Sequence, residues 1–346
     1  MTPDPFHRDN HYVPQFYLKL WADDKNRLWV YRLLVSHSHI PLWKRQSVKG
    51  VAYHAHLYTR LGSIGESDEL ERWFGAEFES PAQDAIRKAI SDASLTRSDW
   101  KRLIRFAAAQ DVRTPARLNE MLQRWRETLP GMMKDVLQTG VQEFEIAKRT
   151  GTLVPREPNI DASEFPVRVT TERLPGGKGG TLQLEMSPGR DLWLFFLKRQ
   201  LLTRTANVLM GHKWTILHTP DHISWVTTDD PVVRLNYYEH GKYDFGGGWG
   251  RAGTEMFLPL GPHHLLYTRI GDKPPRRGTV LSVEMATHLQ RFMVEHAHRY
   301  VFAVSPDKNV EEYRPRVVDA DASAKEQEQW RRWHEEQIAA VQALKR

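Results

Sequence analysis

The hydropathy period changes twice along the chain, and this limits the folds open to it more than any other feature. Between residues 28 and 57, apolar and polar side chains alternate or run together as they do in strands, as in RLWVYRLL and in Val51, Tyr53, Ala55 and Leu57. From about 66 to 149 the period lengthens. Leu70, Trp73, Phe74 and Phe78, and then Trp100, Leu103, Ile104, Ala107 and Ala108, recur at helical spacing. Strand signals return after residue 212 in KWTILHT, HISWVTT, EMFLPLG, HHLLYTRI and RYVFAV. Early and late strands separated by a helical block predict an α+β fold. In it, a mixed or antiparallel sheet of N-terminal and C-terminal strands is covered by a helical layer.

Local signals sharpen the helices. Ser67 is the expected N-cap of the first, and Pro81 is expected to kink or divide it. Thr96 with Asp99 forms a capping arrangement for the second, which ends near Arg113-Thr114-Pro115, with a long helical hairpin continuing through 149. RDLWLFFLKRQLLTRTANVLMG predicts a central buried helix near 190 to 211, and residues 279 to 300 another. VRVTTER and TLQLEM flank LPGGKGG as a β-hairpin. The resulting organisation is one α+β domain over 1–305, with a helical subdomain at about 66–149 and a hairpin insertion at about 150–190. A C-terminal extension follows over 306–346. Its amphipathic helix carries Trp330, Trp333, Ile338 and Val341 along one side, a candidate contact for a second copy.

Composition excludes several chemistries. The chain has no cysteine, so disulfides, Cys-ligated zinc, iron–sulfur clusters and thiol nucleophiles are ruled out. With 49 basic and 43 acidic residues the net charge is +6, a mild excess that suits a nucleic-acid or other phosphate-bearing partner and equally suits a mixed solvated surface. The polar N-terminus and the lack of a long apolar window predict a cytoplasmic, non-membrane protein. GGKGG at 176 to 180 lacks the spacing and the Ser or Thr of a phosphate-binding loop and reads as hairpin chemistry. There is no G-x-S-x-G and no H-E-x-x-H. Of the paired histidines, His54 and His56 share a strand face and are weighed as metal ligands against ordinary half-buried histidines. His263 and His264 form another pair, and Glu71, Glu77 and Glu79 read as the wet face of their helix, although Glu77 and Glu79 flank Phe78 and cannot both point fully outward.

The candidate site residues lie in three short stretches. His11-Tyr12-Val13-Pro14-Gln15 places two polar side chains at the mouth of an apolar run, and Pro14 holds the preceding backbone extended. Gln110 and Arg113 share a helix face, where the arginine either satisfies terminal carbonyls or recognises an anion. Asp229, in Thr228-Asp229-Asp230-Pro231-Val232, stands at a strand end as either a base or metal ligand or an Asx-turn, while Asp230 reads as turn.

Taken in order, His11-Tyr12-Val13-Pro14-Gln15-Phe16-Tyr17-Leu18, Leu28-Trp29-Val30-Tyr31, Leu57-Tyr58, Arg113-Thr114-Pro115, Trp214, Thr228-Asp229-Asp230-Pro231-Val232 and Pro259-Leu260 resemble the bacterial domain-of-unknown-function family numbered 4238. The resemblance covers about residue 10 to about residue 305. It implies family positions at His11, Gln15, Arg113 and Asp229, and none at His54 or His56. Where the family shows Ser before the aspartate and a non-acidic residue before the proline, this chain has Thr228 and Asp230. No activity is implied, and a role in bacterial defence has no residue arguing for it. The expectation from the residues is a hydrolase, a nuclease or phosphodiesterase, in which His11 is general acid or base. Asp229 orients it or holds a divalent cation such as Mg or Mn, Arg113 stabilises charge, and Gln15 and Gln110 bind substrate. The alternative is a non-enzymatic regulatory protein that binds an anion or a partner. A single pocket holding His11, Arg113 and Asp229 is the geometric requirement of the first reading.

Overall fold

A computed structural model describes residues 6–62, 65–152, 166–173 and 180–345. The chain forms two compact units, Met1–Arg117 with Lys198–Arg332, and Leu118–Leu197 with Trp333–Arg346.

The first unit is α+β, built chiefly on a four-stranded antiparallel sheet and a six-stranded, mostly antiparallel one. In the four-stranded sheet the order is Thr227–Thr228, Tyr300–Ala303, Arg27–Arg32, Trp43–Ser47, so early strands pair with late ones as the periodicity requires. Val301 stands opposite Tyr31, and Tyr31 opposite Trp43. The six-stranded sheet runs Lys242–Asp244, Val233–Glu239, Glu255–Gly261, His264–Arg269, Thr215–His218, Thr279–Val280, with only the last pair parallel. One apolar cluster joins them. Tyr31 and Val301 from the smaller sheet, Leu217, Leu235 and Phe257 from the larger, and Leu289 and Met293 from the helix Val283–His296 are all almost fully buried in it. Burying a side chain of this size stabilises by roughly 1.5–3 kcal/mol before entropy is counted.

The helix Arg97–Val112 starts at the expected capping box: Thr96 Oγ1 accepts from Asp99 N at 3.2 Å, and the Asp99 carboxylate accepts from Thr96 N at 2.9 Å. Ahead of it, Glu69–Phe74 and Ser80–Ile90 are joined by a π turn over Gly75–Glu79. Pro81 sits in the first turn after that joint, where its missing N–H does least harm. Two expectations are corrected. The apolar stretch at 190 to 211 is two helices, Arg190–Leu202 and Arg204–Met210, because Thr203 turns out of the helix and its hydroxyl caps Thr205 N. In HISWVTT only Thr227–Thr228 is strand, since Ile223 N closes a turn onto Pro220 O and the Trp225 ring is drawn into the core, where Nε1 donates to Ala286 O.

The second unit is mainly helical. Leu118, Trp125 and Leu129 are buried, and Trp125 packs against Phe196 with ring centres 5.6 Å apart. Its hairpin pairs Val167–Arg173 with Gly180–Met186 in continuous register, as expected, while most of the LPGGKGG tip lies outside the described residues. Arg190 is fully buried, with NH1 3.0 Å from His334 Nδ1, and its backbone N–H donates to Gln337 Oε1. The amphipathic C-terminal helix spans Ala320–Lys345. Among the described residues, no helix is long and apolar enough to cross a membrane.

Candidate functional site

The HYVPQ segment changes direction at its proline. Asp9–His11 pairs antiparallel with Tyr53–Ala55, His11 opposite Tyr53. Pro14, extended at φ −61° and ψ 141°, then caps the helix Gln15–Leu18, whose Tyr17 and Leu18 amides donate to its carbonyl. Alternation along the strand buries Asn10 and Tyr12 and leaves His11 half-exposed. Both buried residues are clasped. Asn10 Oδ1 accepts from Tyr58 N at 3.0 Å. The Tyr12 carbonyl accepts from Gln110 Nε2 at 2.6 Å and from Arg113 Nε at 3.1 Å.

His11 and Gln15 therefore open onto a polar cleft of about 560 Å³, also lined by His7, Asp9, Lys49, Glu71 and Glu79. Glu71 and Glu79 reach it from one helical face because of the π turn. Eight residues of plain α-helix would set them about 80° apart, and the extra residue taken up by the wide turn cuts this to about 20°. Glu77, on the same segment, points to solvent at 51% exposure and pairs with Arg105. Reading all three glutamates as one wet face is thus corrected for Glu71 and Glu79.

Electrostatics separate the groups. Burial pushes the Glu71 carboxyl up to about 8, with Glu79 adding to the rise and Arg113 and the His11 backbone N–H opposing it. Its Oε2 is buried and has no hydrogen-bond partner. Burial moves His11 the other way, below its ordinary value, so the imidazole is neutral at pH 7. His11 Nε2 lies 3.3 Å from the Lys49 carbonyl, which can only accept. That contact puts the proton on Nε2 and leaves Nδ1 as a free base.

Arg113 stands behind this cleft rather than in it. Only 1% exposed, it gives NH1 to Glu79 at 2.7 Å, gives Nε to Tyr12 O and Gln110 Oε1, and lies 4.9 Å over the Phe74 ring. Gln110 is fully buried with its amide spent on Tyr12 and Arg113, so it does not reach a substrate. Asp229 lines a different cavity, of about 280 Å³, with Tyr12, His54, His298 and Trp330. Its two oxygens accept from His298 N at 2.8 Å and Arg299 N at 2.7 Å. Burial nevertheless pushes its carboxyl up to about 7. Asp230 is also buried, taking Thr114 Oγ1 at 2.9 Å with His296 Nε2 3.5 Å from its other oxygen. The structure thus brings His11, Gln15 and, through Glu79, Arg113 to one place, and puts Asp229 at another. Among the described residues, neither His11 nor Asp229 belongs to a set of three ligating side chains close enough to hold a metal.

The chain belongs to the family described as protein of unknown function, DUF4238. The family model matches residues 9–307, which takes in the HYVPQ cleft, the Arg113 clasp and the Asp229 corner. No curated protein and no solved structure matches the chain.

The remaining histidine and tryptophan candidates are engaged within the fold. His54 is stacked on Tyr12 and, at 3.9 Å, on Trp330, and burial pushes it down to about 4. The Trp330 ring is occupied by that stack, Trp333 is buried, and Ile338 and Val341 are half-buried, so little of this stripe is free for a second copy. An apolar cavity of about 430 Å³ lies beside the helix Val283–His296, lined by Tyr237, Tyr243, Tyr267 and Phe292 among others. On its rim Glu255 accepts from Tyr267 and Arg291 donates to Glu295. The sequence places Glu71 and Glu79 on the wet face of their helix and gives no sign that they belong to the site. Their eight-residue spacing around Gly75 is no recognisable motif until the π turn aligns them.

Proposed function

We propose that the DUF4238 chain is a hydrolase whose active site is the His11 cleft. The observation that carries this reading is one open cleft holding a buried Glu71 carboxyl oxygen with no hydrogen-bond partner and a His11 ring hydrogen-bonded through Nε2, with burial raising the carboxyl and lowering the imidazole. Glu71 donates its proton to the leaving group. His11 Nδ1 takes a proton from the attacking water, and Gln15 hydrogen-bonds the substrate. Arg113 holds Glu79 and the Tyr12 carbonyl, and so positions His11 one residue earlier.

The charge of the cleft bears on the substrate. Asp9 and Lys49 face it with opposite charges, Glu71 keeps its proton at neutral pH, and Glu79 and Arg113 offset one another. A neutral substrate with a glycoside, ester or amide link suits this balanced lining better than the phosphate-bearing one suggested by the net charge of +6.

The test is turnover of p-nitrophenyl glycosides, esters and phosphodiesters by the native chain, with and without Mg or Mn. It is repeated with His11→Ala and Glu71→Gln. Metal-independent turnover of a neutral substrate is expected, with a rate that falls above about pH 8 and drops at least about 100-fold in either variant. Mn-dependent cleavage of phosphodiesters that survives Glu71→Gln would overturn it. Saturable ligand binding with no turnover would assign the cleft to a binding protein instead.

A further inference from the structure

The pairing of His218 with His264 creates a second cluster that the His11 cleft does not use. His218 ends the strand Thr215–His218 and His264 begins the strand His264–Arg269, and the antiparallel register sets them directly opposite. Cross-strand partners share a face, so the two rings meet edge-on with centres 4.5 Å apart. Both Nε2 atoms are buried. Both point to the carboxylate of Asp92: His218 Nε2 is 3.1 Å from Oδ1, and His264 Nε2 is 3.8 Å from Oδ2.

Asp92 is held there by unusual backbone. It follows the helix Ser80–Ile90 at φ +56°, the left-handed position that closes a helix and that glycine takes most readily. The closing bonds are formed, Asp92 N to Ala89 O and Ala93 N to Lys88 O. An aspartate in this place brings backbone strain and gives the helix end nothing that glycine would not. What it adds is a carboxylate within ion-pair reach of two buried imidazole nitrogens.

We propose that Asp92, His218 and His264 form a mononuclear site for a divalent transition-metal ion, zinc being the best fit. The ligand atoms lie within 4.8 Å of one another. Around a tetrahedral zinc, with bonds of about 2.0–2.2 Å, they need to be about 3.3–3.5 Å apart, so side-chain adjustment of about an ångström closes the site. Two imidazoles and one carboxylate suit zinc-type ions rather than magnesium or calcium, which take oxygen donors. Asp92 is 57% exposed, so the ion enters from solvent and keeps water at its fourth position. Metal there ties the end of the helix to the larger sheet. The site is independent of the hydrolase reading.

The experiment uses the full chain without an affinity tag, stripped with EDTA and titrated with Zn²⁺ by calorimetry, and with Co²⁺ by visible absorption. The variants are Asp92→Gly, which keeps the left-handed backbone and removes the carboxylate, and His264→Gln. The native chain is expected to bind one tight equivalent of zinc, to give tetrahedral Co²⁺ bands, and to melt at higher temperature with zinc than without. Each variant is expected to lose at least about 100-fold in affinity, since outer-shell changes alone cost 10–100-fold. Asp92→Gly should melt no lower than the stripped native chain. Absence of a tight equivalent in the native chain, or an equivalent that survives both substitutions unchanged, overturns the site.

Discussion

At the Asp229–Asp230 corner the buried carboxylate oxygens have donors or a positive partner close by: His298 N and Arg299 N for Asp229, and Thr114 Oγ1 with Arg117 for Asp230. In the His11 cleft, on the other side of Tyr12, Glu71 Oε2 has none, and the Glu71 carboxyl keeps its proton at neutral pH instead. Burial raises a carboxyl in both regions, Asp229 to about 7 and Glu71 to about 8, but both oxygens of Asp229 have amide donors whereas one oxygen of Glu71 has none. A buried polar group without a partner costs stability, so a fold retains one chiefly where something else makes use of it. The matched corner explains how the chain holds together, and the unmatched cleft is where chemistry remains to be done.

That contrast can be broken most directly at the clasp. Arg113→Met is expected to lose about 3–5 kcal/mol in urea denaturation, because it strips Glu79 of its buried partner and Tyr12 O of one donor. Asp229→Ala follows at about 2–3 kcal/mol, leaving two amides without an acceptor before the strand Tyr300–Ala303. If either variant keeps native stability, the matched region is not holding the fold as described.

The cleft is expected to behave in the opposite sense. The folded pKa of Glu71, about 8, lies above its ordinary 4.5, so the native state holds a proton that the unfolded chain releases. Its contribution to stability is therefore full below about pH 4.5, falls as pH rises toward 8, and is flat beyond. Glu71→Gln removes that dependence. It should raise stability by about 1–3 kcal/mol at pH 8.5 and change little at pH 4, which melting curves at the two pH values will show. The smallest effect is expected for His11→Ala, within about 1 kcal/mol of native, while any hydrolysis is lost. A His11→Ala chain as unstable as the Asp229→Ala chain would make HYVPQ a structural clasp and nothing more.

Legibility in the sequence followed the range of the interaction. The capping box at Thr96 and Asp99 was readable because both partners lie within four residues, and the hairpin strands 167–173 and 180–186 because alternation and glycine turn chemistry are local. Gln110 and Arg113 were correctly placed on one helix face, yet what they bind, the carbonyl of Tyr12, is about a hundred residues away and carries no local signature. The break at Thr203 and the turn at Ile223 were missed because apolar composition outweighed weak local turn signals there.

By itself the sequence determined the α+β class, the pairing of early with late strands, and the placing of His11 and Gln15 at the head of an apolar run, since period and proline placement act within a few residues. Only the tertiary structure decided that Asp229 is parted from His11, that Glu71 and Glu79 share the cleft, and that His218 and His264 meet over Asp92. Each of these depends on a strand register, a π turn or the burial of a carboxyl, and all three are set by packing between segments remote in the chain.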